Sequence, residues 1–114
     1  MEYNRLGKTN LLISRVAFGS LRLGSIDNDD EAAKIVRSAY DLGINFFDTS
    51  SEYPDCEKLL GDALYDIRKN VFISTTTSAK TSSDIKNDLE EVIKANSEFK
   101  NISVVFDFNP LSIF

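Results

Sequence analysis

Short runs of apolar residues, rich in β-branched and aromatic side chains, recur along the chain. The four runs lie at 15–18, 44–47, 71–73 and 102–106. Runs of this kind are typical of buried strands. Their spacing of about 30 residues is that of a strand, a crossover helix and the next strand. The pattern therefore predicts four strands that are linked by helices.

Between these runs, apolar residues recur at helical spacing, which predicts three helices. The first follows the capping candidates Asp29 and Asp30 and is expected to end at a left-handed cap on Gly43. The second covers about 54–67, and the third begins near 82–84. The predicted buried faces are Ala32, Ile35, Val36 and Ala39 in the first helix, Leu59, Leu60, Ala63, Leu64 and Ile67 in the second, and Ile85, Leu89, Val92 and Ile93 in the third.

This alternation predicts an α/β fold with a parallel sheet and right-handed crossovers. Residues 1–13 lie outside the alternation, and the turn-like segment 7–10 between two short runs predicts an N-terminal β-hairpin. Residues 14–114 are expected to form four βα-type units that end after the fourth strand. We predict a single domain over residues 1–114.

Two architectures fit the pattern: a small, open, doubly wound sheet or a piece of a (β/α)8 barrel. A doubly wound nucleotide-binding fold usually has a glycine-rich turn after its first strand. Here that turn spans 19–24 and reads Gly-Ser-Leu-Arg-Leu-Gly, which is a poor match to GxGxxG. A phosphate-binding loop is therefore a weak interpretation, and the pattern alone does not separate the two architectures.

Composition excludes several kinds of site. The net charge of −5, with scattered basic residues, disfavours binding to nucleic acid or to an anionic membrane. The absence of histidine excludes a histidine-based zinc site and a Ser-His or Cys-His nucleophile, so we expect no metal. One cysteine cannot form a disulfide within the chain. With no signal-like or membrane-spanning apolar run, the expected location is cytoplasmic.

Three segments carry a family resemblance. Residues 3–9 read Tyr-Asn-Arg-Leu-Gly-Lys-Thr, and residues 13–20 continue as Ile-Ser-Arg-Val-Ala-Phe-Gly-Ser. Residues 41–64 hold an Asp and a Tyr five residues apart and end in Glu-Lys-Leu-Leu-Gly-Asp-Ala-Leu. These segments resemble the N-terminal half of aldo-keto reductases. The resemblance implies a parallel (βα)4 half of a TIM barrel, preceded by the short hairpin.

The resemblance also implies a chemistry, namely hydride transfer from NADPH to a carbonyl carbon with a tyrosine donating the proton. By position, Asp48 and Tyr53 correspond to the family's catalytic aspartate and tyrosine. The family's lysine is replaced by Thr76 and its histidine by Phe108. Ser20 and Asp48 are the implied cofactor-binding positions. Loss of positioned proton transfer typically costs about 10²–10⁴ in rate.

We therefore expect the chain alone to lack carbonyl reductase activity and to bind no cofactor, with NADPH binding only where a complete barrel site is assembled. A half-barrel exposes an apolar interior and two strand edges. Two copies related by a twofold axis would close eight strands, which predicts a homodimer with a binding or scaffold role. The alternatives are an NADP-dependent oxidoreductase completed by a partner chain that supplies the C-terminal half-barrel, and a non-catalytic small-molecule binder.

Each candidate residue also has a purely structural interpretation. Asp48 can cap a loop and Tyr53 can pack at its edge without any catalytic use. Cys56 fits a small side chain in the first turn of a helix better than a reactive thiol. The run 75–78 fits a strand end better than an anion site, and residues 109–110 fit the end of the fourth strand.

Overall fold

The computed structural model describes residues 1–50, 52–77, 80–95 and 102–106 of the chain. The strands are β1 (Tyr3–Arg5), β2 (Leu12–Ser14), β3 (Phe18–Gly19), β4 (Phe46–Ser50), β5 (Phe72–Thr77) and β6 (Ile102–Phe106). The helices are α1 (Asp29–Asp41), α2 (Pro54–Leu64) and α3 (Ser82–Ala95), with 3-10 turns at Leu23–Ser25 and Tyr65–Asn70. None of the described helices is long and apolar enough to cross a bilayer.

The strands form two sheets. β1 and β2 pair antiparallel as the predicted hairpin, and β3, β4, β5 and β6 pair in that order, each parallel to its neighbour. The predicted α/β fold with a parallel sheet and an N-terminal hairpin is confirmed. In the register of this sheet, Asp48 lies opposite Gly19 and Ser74, and Ser50 lies opposite Thr76.

The predicted strand bounds were wrong for three of the four strands. The first is only β3, because Arg15 bonds to the hairpin instead, where its N–H donates to the Glu2 carbonyl over 2.8 Å, and Val16 is 54% exposed. β4 and β5 continue beyond their apolar runs into polar residues, since ladder hydrogen bonds do not depend on side-chain polarity. The fourth strand has the predicted bounds.

The residue that caps helix α1 lies one position before the predicted caps Asp29 and Asp30. Asn28 is the capping residue, and its side-chain oxygen accepts from the N–H groups of Asp30 and Glu31 over 2.8 and 3.3 Å. Asp29 and Asp30 lie in the first turn instead, where their negative charge suits the helix dipole.

The end of α1 is the predicted left-handed cap. Gly43 has φ +99°, and its N–H donates to the Tyr40 carbonyl over 2.8 Å. Ile44 N–H donates to the Ala39 carbonyl over 3.1 Å, which completes the paired bonding pattern of a Schellman motif. The helix therefore stops directly before β4.

The core lies between one face of the parallel sheet and helices α1 and α2. Its fully buried side chains are Val36, Phe47, Leu60, Leu64, Val71 and Ile73. Full burial of a large apolar side chain contributes about 1.5–3 kcal/mol. Because strand side chains alternate between faces, Phe47 points to the helices, whereas Asp48 points to the other face of the sheet.

The predicted helix faces were correct except at their flanks. Ile35 is 45% exposed, because Ala32, Val36 and Ala39 form the buried stripe of α1 and Ile35 lies beside it. Helix α2 ends at Leu64, and Ile67 follows in the 3-10 turn, partly buried. In α3, Ile85 is half-buried, and the predicted Leu89, Val92 and Ile93 lie outside the residues whose side chains are described.

Gly43→Ala is expected to lower the free energy of unfolding by about 2–3 kcal/mol. An added Cβ would lie 2.9 Å from the Met1 Cβ and 3.1 Å from the Tyr3 hydroxyl oxygen, on a backbone at φ +99°. Urea denaturation followed by circular dichroism measures the change. Gly7→Ala is the control, because its backbone is also left-handed but nothing lies within 4 Å of an added Cβ. It should cost only about 1 kcal/mol, and equal losses for the two variants would contradict the packing argument.

Candidate active site at the carboxyl end of the parallel strands

Asp48 lies in the carboxyl-terminal half of β4, on the face of the sheet turned away from the helices. It is half-buried and has Gly19 of β3 on one side and Ser74 of β5 on the other. In parallel barrels this end of the strands carries the functional groups. Strand pairing alone therefore places the predicted aspartate where a barrel active site belongs.

The carboxylate of Asp48 accepts a hydrogen bond from the Ser74 hydroxyl. Within the part of the chain that the structure describes, Asp48 takes part in no ion pair. A hydrogen bond to a charged group contributes about 1.5–3 kcal/mol. Among the described residues, this carboxylate is therefore stabilised by a neutral dipole and not by a cation.

Ser20, the predicted cofactor-binding residue, is fully buried. Its N–H and its hydroxyl both donate to the backbone carbonyl of Asp48, over 3.0 and 2.6 Å. These two bonds extend the pairing of β3 with β4 one residue beyond Gly19. In this arrangement the hydroxyl is committed to holding the two strands together.

Tyr53 is the residue that precedes α2, and 47% of it is exposed. Its N–H donates to the Ser50 carbonyl over 3.1 Å, and its own carbonyl accepts from Cys56 and Glu57 in the first turn of the helix. The phenol makes no hydrogen bond with any described residue. The structure thus brings Asp48 and Tyr53 to the same end of the sheet, one at the end of β4 and one in the turn that follows.

Thr76, predicted to stand at the family's lysine position, lies opposite Ser50 near the end of β5. The Ser50 hydroxyl donates to the Thr76 carbonyl over 3.2 Å. By strand alternation Thr76 shares a face with Ser74, so it stands on the side of the sheet that carries Asp48. The predicted histidine position, Phe108, and residues 109–110 lie outside the described residues, as does Ser78 at the end of the predicted polar run.

Sequence reasoning missed a buried carboxylate behind this site. Glu57 is only 4% exposed, and its Oε1 accepts from the Thr75 hydroxyl over 3.2 Å. The signal was its position, because residue 57 falls on the same helical stripe as Leu60 and Leu64. Cys56 is buried beside it in the first turn of α2, and its Sγ lies 3.4 Å from the Leu21 carbonyl oxygen. This position agrees with the interpretation of Cys56 as a small structural side chain.

Ser20 and Asp48 fit the pyrophosphate of a nicotinamide dinucleotide poorly. A pyrophosphate is bound by cations and by N–H groups. Both the Ser20 hydroxyl and the Ser20 N–H are used by β4, and Asp48 supplies only negative charge. The two predicted cofactor contacts therefore do not form a pyrophosphate site by themselves.

The Aldo/keto reductase family model matches residues 15–102. L-galactose dehydrogenase of Arabidopsis thaliana is 46% identical over 69 residues, which are 56% of this chain and 22% of that protein. Aldo-keto reductase dtxS3 of Metarhizium robertsii is 33% identical over 94 residues, or 74% of this chain and 25% of that protein. The chain thus spans about a quarter of the length of these curated relatives.

Solved structures confirm the predicted fold. The aldo-keto reductase PA4992 of Pseudomonas aeruginosa superposes with a TM-score of 0.84 at 27% identity, over 97% of this chain and 49% of that chain. Aldo-keto reductase AKR11C1 of Bacillus halodurans, in its holo form, gives a TM-score of 0.80 at 21% identity, over 98% of this chain and 43% of that chain. At that identity the second match supports the fold alone. The described α/β unit corresponds to just under half of each barrel.

Ser74→Ala is expected to lower the free energy of unfolding by about 1–2 kcal/mol, because the half-buried carboxylate of Asp48 loses its hydrogen-bond donor. Urea denaturation at neutral pH measures the change. Ser83→Ala in α3 is the matched control, since Ser83 is exposed, and its effect should stay within about 0.5 kcal/mol of zero. If the two variants are equally stable, the Ser74–Asp48 hydrogen bond does not support the site.

Proposed function

This chain belongs to the aldo/keto reductase family, and we propose that it is a member without carbonyl reductase activity of its own, with a binding or scaffold role. One observation carries the proposal. The carboxylate of Asp48 accepts a hydrogen bond from the neutral hydroxyl of Ser74. The family's lysine position, two residues further along β5, holds Thr76, which has no charge. The retained Asp48 and Tyr53 are, in this proposal, structural remnants of an acid–base group.

The physical reason concerns the proton donor. A phenol gives up its proton readily only where positive charge stabilises the phenolate that forms. In the part of the chain that the structure describes, Asp48 forms no ion pair, and the position that the resemblance assigns to the lysine holds the uncharged Thr76. Without such a cation, a phenolate at Tyr53 lacks that stabilisation, so proton transfer from Tyr53 to a carbonyl oxygen is disfavoured.

We extend the proposal to assembly. In the part of the sheet that is described, β3 pairs on one side with β4, and β6 pairs on one side with β5. On the face turned away from the helices, Phe46 and Phe72 are half-buried beside Asp48. In our proposal a second copy covers this face, with β6 of each copy beside β3 of the other, so that eight parallel strands close as in a barrel. Such a closed assembly leaves no strand edge open to other chains.

A cytoplasmic setting belongs to the same proposal. Cys56 is a free, buried thiol, and a reducing compartment keeps such a thiol reduced.

One specific arrangement favours a second candidate, an NADP-dependent oxidoreductase whose remaining barrel half and missing charges come from a partner chain. Asp48 and Tyr53 lie at the same end of the sheet, and the phenol of Tyr53 makes no hydrogen bond with described residues. A partner-supplied cation beside Asp48 would restore the charge balance that proton transfer requires. In that case NADPH would bind to the assembled pair and not to this chain alone.

The proposal predicts that the rate of NADPH oxidation with an aromatic aldehyde is the same for the wild-type chain and for Tyr53→Phe. The measurement is absorbance at the nicotinamide band under saturating aldehyde. Tyr65→Phe, which alters another exposed tyrosine, is the matched control. A drop of about 10²-fold or more in Tyr53→Phe, with Tyr65→Phe unchanged, would identify Tyr53 as a working acid and overturn the proposal.

A further inference from the structure

A groove of about 520 Å³ lies at the opposite end of the sheet from Asp48. It is bounded by the hairpin, by the end of α1 and by the last residue of the second 3-10 turn. Its side chains include two tyrosines, Tyr3 and Tyr40, and the carboxylate of Asp41. The volume falls within the range of small-molecule pockets.

Most polar side chains around this groove are already paired. The Tyr3 hydroxyl donates to the Gly43 carbonyl over 2.7 Å, and the Asn70 amide donates to the Tyr40 hydroxyl over 3.3 Å. Asn45 accepts from the backbone N–H of Ser14 over 2.7 Å. These bonds fix the hydroxyl ends of both tyrosines, so the aromatic rings are held as walls of the groove.

Asp41 differs from these residues. It is exposed, and among the described residues it forms neither an ion pair nor a side-chain hydrogen bond. It is also the last residue of α1, whose final turn contains no basic side chain. The carboxyl end of a helix carries partial negative charge, so a carboxylate there is repelled by the helix dipole. The groove therefore combines a carboxylate with the negative end of a helix dipole, and none of the described side chains that line it is basic.

The two tyrosine rings also favour a positively charged ligand. The face of a tyrosine ring attracts a cation that lies within about 6 Å of its centre. Tyr3 is 42% exposed and Tyr40 is half-buried, so each ring has an accessible part. Leu12, 57% exposed at the rim, offers an apolar contact for the alkyl part of a ligand.

We propose that this groove is a binding site for a small organic ammonium ion. The ammonium group lies beside the Asp41 carboxylate and against the ring of Tyr3 or Tyr40, and its alkyl groups contact Leu12. The site is independent of the proposed function, because no residue at the Asp48 end of the sheet takes part in it.

The test uses choline chloride as the probe and 3,3-dimethylbutan-1-ol as its uncharged counterpart of the same shape. Proton NMR of the tyrosine rings follows each titration. Choline is expected to shift the signals of Tyr3 and Tyr40, but not those of Tyr53 and Tyr65, and to saturate in the millimolar range. The alcohol is expected to bind at least about tenfold more weakly, because it lacks both the charge pairing and the cation–π contact.

Asp41→Asn is the key variant, and it is expected to weaken choline binding about threefold to fivefold. Asp27→Asn is the matched control, since Asp27 is also exposed and its replacement changes the net charge by the same amount. Thermal melting checks folding, and Asp41→Asn should melt no lower than the wild type because it relieves the repulsion at the end of α1. The proposal is overturned if choline does not bind, if choline and the alcohol bind equally, or if the two variants bind choline alike.

Discussion

Strand β4 pairs in parallel with a neighbour on each side, and this pairing determines where the other features of the molecule lie. It directs Phe47 into the contact with α1 and α2, and it directs Asp48 to the opposite face. The carbonyl of Asp48 accepts two hydrogen bonds from Ser20, and its carboxylate accepts one from Ser74. A shift of register by one residue would exchange the two faces of β4 and bury the carboxylate among apolar side chains, which is why the pairing is so strongly specified.

The two ends of this sheet each carry an aspartate, but among the described residues only the one at the carboxyl end is stabilised by a side-chain hydrogen bond. At the carboxyl end, the Asp48 carboxylate is stabilised by the Ser74 hydroxyl, and Thr76 in β5 supplies no positive charge for proton transfer. At the amino end, Asp41 lies at the negative end of a helix and forms no ion pair within the part of the chain that the structure describes. The first arrangement supports a family member that keeps the barrel architecture without its acid–base chemistry. The second leaves a negative potential that an incoming cation can satisfy.

The sequence predicted the features that depend on local periodicity or on a single backbone angle. The four strands, three helices and hairpin follow from apolar spacing, and the cap at Gly43 follows from the left-handed angle that glycine adopts readily. The exposure of Ile35 and the burial of Glu57 could not be read in this way, since both depend on which neighbouring helix or strand packs against them. For the site, the family resemblance identified Asp48 and Tyr53, but the partner of Asp48 depends on the register between β4 and β5.

The most direct test of this account is the solution mass by light scattering, with NADPH titrated into the same sample and followed by its fluorescence. The account predicts a particle of twice the chain mass of 12.8 kDa and no saturable change in NADPH fluorescence. A monomer would contradict the proposed pairing of two half-barrels. Saturable NADPH binding by the chain alone would contradict the proposal that NADPH binds only where a complete barrel site is assembled.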